Sequence, residues 1–415
     1  MSDPGHHSAP SSARPAVLRA ASLWLPAGHP WRRLPTVGLV LAVVGLGGSL
    51  ALGLASEAAR RQLWHSWLVG TLFALSIALG GLFFVLVHHA TQAGWSVVVR
   101  RIAENAMATL PFLALLFVPL LFGMGDLFDW SHAQAVKGDS LLLHKRPYLN
   151  VQFFVIRTVV YFAIWSALAL WFGRLSRLQD ATGDHELTRR MRRASPPALL
   201  LFALSVTFFA FDWLMSLEPA WYSTIFGVYF FAGSAMAFFA FFALVVIAAR
   251  RSGLLAEVVT TEHQHDIGKL LLTFVAFWAY MAFSQFLLIW YANLPEETSF
   301  FAQRYAGSWL TAGAVLVFGH FLVPFFLLLS RAAKRNAKAL AALSVWLLAM
   351  HLLDLYWLVM PNLHPAGMVP TLLDATALIG CCGVFLAAFG GALKRQALVP
   401  LRDPRLPESL TFENV

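Results

Sequence analysis

The chain has 415 residues, 59% of them hydrophobic and only 12% charged, with a formal net charge of +9; an ordinary soluble protein carries roughly 45–50% apolar and about 25% charged residues. The apolar surplus sits in blocks of about 20 residues, the length that crosses roughly 30 Å of hydrocarbon as helix. A soluble enzyme, a nucleic-acid binder and a secreted disulfide scaffold are excluded, and so is a transmembrane barrel, whose strands would alternate over about 10 residues.

Residues 1–36 read as a cytoplasmic N-terminal tail rich in Ser, Ala, Pro, Arg and His, with no signal-peptide cleavage pattern and with Trp24 and Trp31 at the membrane interface. Ten apolar segments follow, at 37–55, 66–90, 106–125, 151–173, 197–217, 224–249, 269–292, 308–330, 337–360 and 371–393. Within the second, the small-xxx-small step Ser76–Gly80 reads as a site of close helix packing. The longest connection, 126–150, carries Asp126, Asp129, Asp139, His132 and His144. A polar tail, 394–415, closes the chain with Pro400, Pro404 and Pro407. The expected class is therefore an all-α polytopic membrane protein with ten transmembrane helices.

Loop charge sets the orientation. With the N-terminus inside, the inside segments hold 23 of the 30 Lys and Arg and the outside loops hold 6, a positive-inside bias that places both termini in the cytoplasm. The clusters Arg189/Arg190/Arg192/Arg193 and Arg331/Lys334/Arg335/Lys338 then mark inner helix ends, where topology and lipid headgroups account for them. The two cysteines, Cys381 and Cys382, are adjacent in an apolar run, and no Cys-x-x-Cys-His or cysteine cluster occurs. Thiolate-bound redox centres of the chain's own are not expected, and no metal site is assigned.

An ionisable group inside a membrane is a functional candidate because its burial is costly. The candidates are Arg157, Asp212, His320, His351, Asp354 and Asp374, with Glu218 at the end of helix five. His351 and Asp354 are spaced i, i+3 on one helix face, where a carboxylate and an imidazole can hold and relay a proton, or simply form a satisfied interhelical bond. Asp212 either serves a proton path or pairs structurally with Arg157. Pro324 removes the helical donor of the His320 carbonyl and predicts a kink there. Tyr280, Ser284 and Tyr291, with Gln285 beside them, form a polar stripe that a quinone or water could line. Nearly all these groups fall in the outer half. The inner half reads as comparatively dry, with His88, His89 and Gln92 near its edge.

Three stretches carry a resemblance. HSWLVGTLFALSIALGGLFFVLVHHATQAGWSVVVRRIAE (65–104), FDWLMSLEPAWYSTIFGVYFFAG (211–233) and FWAYMAFSQFLLIWYANLPEET (277–298) resemble the membrane subunits of alternative complex III, a bacterial quinol:cytochrome c oxidoreductase of the respiratory chain, within the polysulfide-reductase-type (NrfD-like) group. The likeness is to the shorter of the two ten-helix membrane components of that complex. The resemblance implies two four-helix bundles, helices 2–5 (66–217) and helices 6–9 (224–360), with helix 1 (37–55) and helix 10 (371–393) peripheral. It implies c-type haems and iron–sulfur clusters in partner subunits and no cofactor bound by this chain, a quinone or lipid being the candidate small molecule. The implied partners are a larger ten-helix sister subunit, an iron–sulfur subunit, c-type cytochrome subunits, a haem-copper oxidase and membrane lipids of the bacterial inner membrane. It carries over Asp212, Ser216, Glu218, Ser284, Gln285, Tyr291, Asn293, Glu296 and Glu297; His351 and Asp354 lie outside the matched stretches.

The functional expectation is a subunit that supports quinol oxidation and electron transfer by offering a proton path and a scaffold rather than the main quinol site. Asp212, Glu218, His351, Asp354, Asp374 and His320 would form the path, with Arg157 as charge partner. The rival is a proton- or ion-coupled secondary transporter using Asp212 and Asp354, which would favour helices broken at the midplane in matched positions of two halves.

Overall fold

A computed structural model describes residues 23–414; the expected tail residues 1–22, and Val415, lie outside the described residues. Among the described residues there is no strand, and ten helices are long and apolar enough to span a membrane. They are α1 (Pro30–Gly53), α2 (Glu57–Ala90), α3 (Val97–Phe122), α4 (Val151–Thr182), α5 (His185–Leu217), α6 (Phe226–Arg251), α7 (Thr261–Ala292), α8 (Ser308–Leu329), α9 (Ala337–Asn362) and α10 (Leu372–Leu393). The protein is an all-α multi-pass membrane protein.

The helices outrun the apolar segments. α3, α5 and α7 begin at Val97, His185 and Thr261, and α4 continues to Thr182, whereas hydropathy alone placed those ends at 106, 197, 269 and 173. Hydropathy marks the hydrocarbon layer, while a helix continues as long as its backbone bonds and caps are satisfied. Asp184, Thr260 and Asn150 supply such N-caps.

α2 and α6 are the most enclosed helices and pack against each other. α2 also meets α3, α5 and α10; α6 meets α5, α7 and α9; α4 joins through α5, and α8 lies against α7 and α9. The α2–α6 contact uses the small-residue step read from sequence. Ser234 Oγ donates to Ser76 Oγ at 3.2 Å, and a Cβ on Gly80 would overlap Phe238. α1 lies along α10 through Gly38, Ala42, Gly45 and Ser49, where a Cβ at Gly45 would overlap Gly380. Without a hydrophobic drive between helices in lipid, such close backbone approach is what holds them.

Two helices are irregular. α3 is broken into short pieces around Pro111 and Pro119. α8 carries a π-helical turn, Leu316–Leu322, just before Pro324, so the disturbance expected at His320 takes the form of a π-bulge, a common device at functional sites.

The end that carries the described termini is covered by residues 394–414. Leu398 N–H donates to the Leu23 carbonyl at 2.8 Å, Ser409 Oγ donates to the Trp95 carbonyl at 2.5 Å, and Asn414 Nδ2 donates to Glu262 Oε2 at 3.2 Å. The expected polar tail is thus a strap that touches the starts of both α3 and α7.

Candidate functional site

The Asp212 carboxylate is fully buried near the end of α5, and Arg157 on α4 grips it from two sides. Arg157 Nε donates to Oδ2 and Nη2 to Oδ1, both at 2.8 Å. Tyr161 Oη adds a third donor to Oδ2 at 2.7 Å. The guanidinium is held in turn by the Tyr148 carbonyl at 2.9 Å and by the Tyr148 ring, 3.8 Å away. Of the two alternatives left open for Asp212, this geometry is the paired one: a bidentate fork with matched charges. Ser216 Oγ donates to the Asp212 carbonyl rather than to the carboxylate.

Asp354 on α9 is almost as deeply buried but meets neutral donors only. Tyr229 Oη on α6 donates to Oδ1, and Trp278 Nε1 on α7 donates to Oδ2 at 3.1 Å. Its expected bond to His351 is absent. Both ring nitrogens of His351 are buried without a hydrogen-bond partner, and the ring packs near Gly233 and Phe73. The i, i+3 spacing put both side chains on one face, but donors from α6 and α7 claim the carboxylate. His320 joins the same cluster from the π-turn of α8. Its ring lies 3.9 Å from that of Trp278, its Nε2 faces Met236 Sδ at 2.9 Å, and its Nδ1 has no partner.

A cavity of about 480 Å³ between α7 and α8 lies against this cluster, lined by Tyr229, Trp278, Gln285 and Arg304 within an otherwise apolar wall. Its rim residues Phe283, Leu310 and Val317 are exposed on the outside of the bundle, so it opens sideways. The polar stripe expected on α7 is split here. Gln285 faces inward and accepts from Ser223 Oγ at 3.1 Å, Ser284 is half-buried, and Tyr280 and Tyr291 are 63% and 83% exposed on the outer face. Tyr280, Ser284 and Tyr291 follow helical spacing along one face, but Gln285 is one step round the helix from Ser284. Asn293, left-handed at φ 50°, is the C-cap of α7, a structural use of a residue type that tolerates this conformation. Glu296 and Glu297 occupy the first turn of the short helix Pro295–Arg304, where acidic groups suit the helix dipole.

Glu218 forms an ion pair with Arg304, Oε1 to Nη1 at 2.8 Å. Burial pushes the Glu218 carboxyl above its ordinary value, against the opposing pull of Arg304. Arg304 was counted only as a loop charge in the sequence. It is buried, and it donates to the carbonyls of Phe300, Trp357 and Leu358, so it ties Pro295–Arg304 to the end of α9.

Asp374 is the N3 residue of a capping box with Thr371 at the start of α10. Its other oxygen accepts from Ser66 Oγ at 2.6 Å and Gln62 Nε2 at 2.9 Å, and Gln62 Oε1 in turn contacts His364 Nε2 at 2.6 Å. Asp374 therefore both caps a helix and heads a polar chain toward the loop that contains His364.

The end of the bundle expected to be comparatively dry carries a buried polar network. Arg100, Arg101, Glu104 and Asn105 are buried in the first turns of α3, a stretch that hydropathy had left in a loop. Arg101 bridges Glu104 at 2.8 Å and also pairs with Asp180 of α4; Arg100 pairs with Glu104 and with Asp403 of the strap at 2.5 Å. Burial opposes charge on Asp403, but Arg100, helped by the Arg405 amide, outweighs it and holds the carboxyl below the ordinary carboxylate range. The signal for this network was the Arg-Arg-x-x-Glu run at 100–104, visible in sequence but without its distant partners.

These features define a multi-pass helical membrane protein in which, among the described residues, the buried carboxylates Glu104, Asp212 and Asp403 are ion-paired and Asp354 is not. Comparison with known protein-family patterns and with curated proteins finds no match to this chain.

Proposed function

We propose that this chain is an integral subunit of a bacterial inner-membrane quinol-oxidising complex of the alternative complex III type, with both termini in the cytoplasm, and that it conducts protons and scaffolds its partners rather than housing the main quinol site. The observation that carries the reading is Asp354: a carboxylate in the spanning region, bonded to Tyr229 and Trp278, with no cation in ion-pair contact among the described residues. Such a group is costly to bury and is retained where protons or ions move. His320 and His351 stand beside it, each with an unpartnered ring nitrogen, and the lateral cavity gives an amphiphile of quinone or lipid type access to Tyr229 and Trp278. Quinol oxidation releases two protons per two electrons. Electrons would pass to haem and iron–sulfur centres of partner subunits, and protons would leave through Asp354 and the Asp374–Gln62–His364 chain. Asp212, locked by Arg157, serves as a structural tie in this scheme.

The test is mild-detergent affinity purification of the chain followed by a reduced-minus-oxidised spectrum. A c-type haem signal with co-purifying subunits is expected. A haem-free, monodisperse single protein would sink the complex-subunit reading. It would favour the ion-coupled transporter, for which the π-turn of α8 beside the cavity is the supporting observation.

A further inference from the structure

A second, polar pocket of about 250 Å³ lies at the opposite end of the molecule from the Asp374 chain, between the end of α2, the start of α5 and the strap. Its composition is unlike that of the lateral cavity. His185, Arg189 and Arg192 line it from one face of α5, at the i, i+4, i+7 spacing that aligns side chains on a helix. Arg405 reaches it from the strap, and its Nη2 is held by Gln92 Oε1 at 2.8 Å. Gln92 has a left-handed backbone, φ 57°. His88 and His89 form the inner wall, and Nε2 of His89, a residue only 5% exposed, has no hydrogen-bond partner.

The charges do not cancel. Asp403 is a wall residue too, and Arg100 pairs with it while also pairing with Glu104; the one excess carboxylate of that network is outnumbered by Arg189, Arg192 and Arg405. Glu186 pairs with Arg189 at 3.2 Å on the exposed side. The guanidinium groups of Arg192 and Arg405 have no carboxylate partner among the described residues, although the Arg405 amide donates to Asp403 Oδ1 at 2.9 Å. Three elements therefore bring positive or protonatable side chains to the wall of one polar space, a lining suited to a multi-acceptor anion. Guanidinium groups bind phosphate oxygens with two parallel bonds. The site also sits just beyond the apolar part of α5, at headgroup level, where basic pockets between helices take lipid phosphates.

We propose that this pocket is a binding site for the phosphate group of an anionic ligand, seated by Arg189, Arg192 and Arg405 with His89 as the buried donor. The inference is independent of the quinol reading. The full chain, purified with whatever accompanies it, would be tested with two probes. One is inorganic phosphate against chloride at equal ionic strength. The other is nanodiscs containing phosphatidylglycerol against nanodiscs of phosphatidylcholine alone. The thermal midpoint and the ³¹P linewidth of the probe are read. A response to phosphatidylglycerol alone identifies a lipid headgroup; a response to inorganic phosphate identifies a free anion; both support the site. The double variant Arg189→Gln/Arg192→Gln should weaken the responding probe by about tenfold. The control Arg190→Gln/Arg193→Gln removes the same charge from the neighbouring face and should leave it within about twofold. His89→Gln gives a second reading through the buried donor. No response to either probe, or equal weakening in both double variants, would overturn the proposal.

Discussion

Asp212 near the end of α5 and Asp354 in α9 are both almost completely buried, yet their partners differ in kind. Asp212 receives a bidentate guanidinium and a tyrosine hydroxyl; Asp354 receives a tyrosine hydroxyl and an indole N–H and no cation. The difference shows how one residue type can be a tie in one half of a membrane bundle and a proton-exchange candidate in the other. A fully paired carboxylate gains nothing by taking up a proton and strands its arginine if it does. A carboxylate among neutral donors has no partner charge to strand.

The sharpest break of this comparison is a pair of conservative variants. Asp212→Asn leaves Arg157 buried without its counter-charge and should cost about 3–5 kcal/mol, read as loss of monodispersity and a lower thermal midpoint in detergent. Asp354→Asn can keep the Trp278 bond on its amide oxygen and reverse the Tyr229 bond, its Nδ2 donating to Tyr229 Oη, and should stay within about 1 kcal/mol of wild type, while under the proposed function proton release in the assembled complex falls about 100-fold. Similar stability losses at both sites would erase the distinction; full turnover in Asp354→Asn would remove Asp354 from the path.

A smaller effect contrasts the two ends of the molecule through pH. The folded Asp403 carboxyl lies below its ordinary value, so it contributes stability above the ordinary carboxylate range, and that contribution is lost as pH falls through its lowered value. Glu218 is raised, so the sign reverses: stability falls as pH rises from the ordinary carboxylate value to the raised one. Asp403→Asn should therefore cost about 2 kcal/mol at neutral pH and flatten the acid limb of a stability–pH curve. Glu218→Gln should remove the opposite slope while weakening the hold on Arg304 by about 1 kcal/mol. Parallel slopes in the two variants would contradict these environments.

The smallest expected change is on the outer face of α7. Tyr280→Phe and Tyr291→Phe should alter stability by less than about 0.5 kcal/mol, because both hydroxyls are exposed on the chain alone. A larger effect seen only in the purified complex would identify this face as a subunit contact.

The candidate residues were legible in the sequence because membrane burial makes ionisable groups rare: Asp212, Asp354, His320, His351 and Asp374 stand out against apolar surroundings. Their pairing was not legible. Arg157 and Asp212 are brought together by α4 and α5, whose register is set by packing, and His351 lost Asp354 to donors more than 70 residues away in the chain. The network of Arg100, Arg101 and Glu104 was missed because a charged helical turn has the same hydropathy as a loop. Its burial depends on Asp180 and on the strap residue Asp403.

The sequence by itself determined the ten spans, the absence of strand-like alternation and the small-residue step at Ser76–Gly80. Each rests on local composition and on the requirement that a chain in hydrocarbon satisfy its backbone within helices. Only the tertiary structure decided which buried carboxylate is neutralised, which face of α7 looks inward, and that the polar C-terminal segment closes one end of the bundle. Those outcomes depend on which side chains from distant helices arrive at the same place, and electrostatic pairing is settled there over a few ångströms.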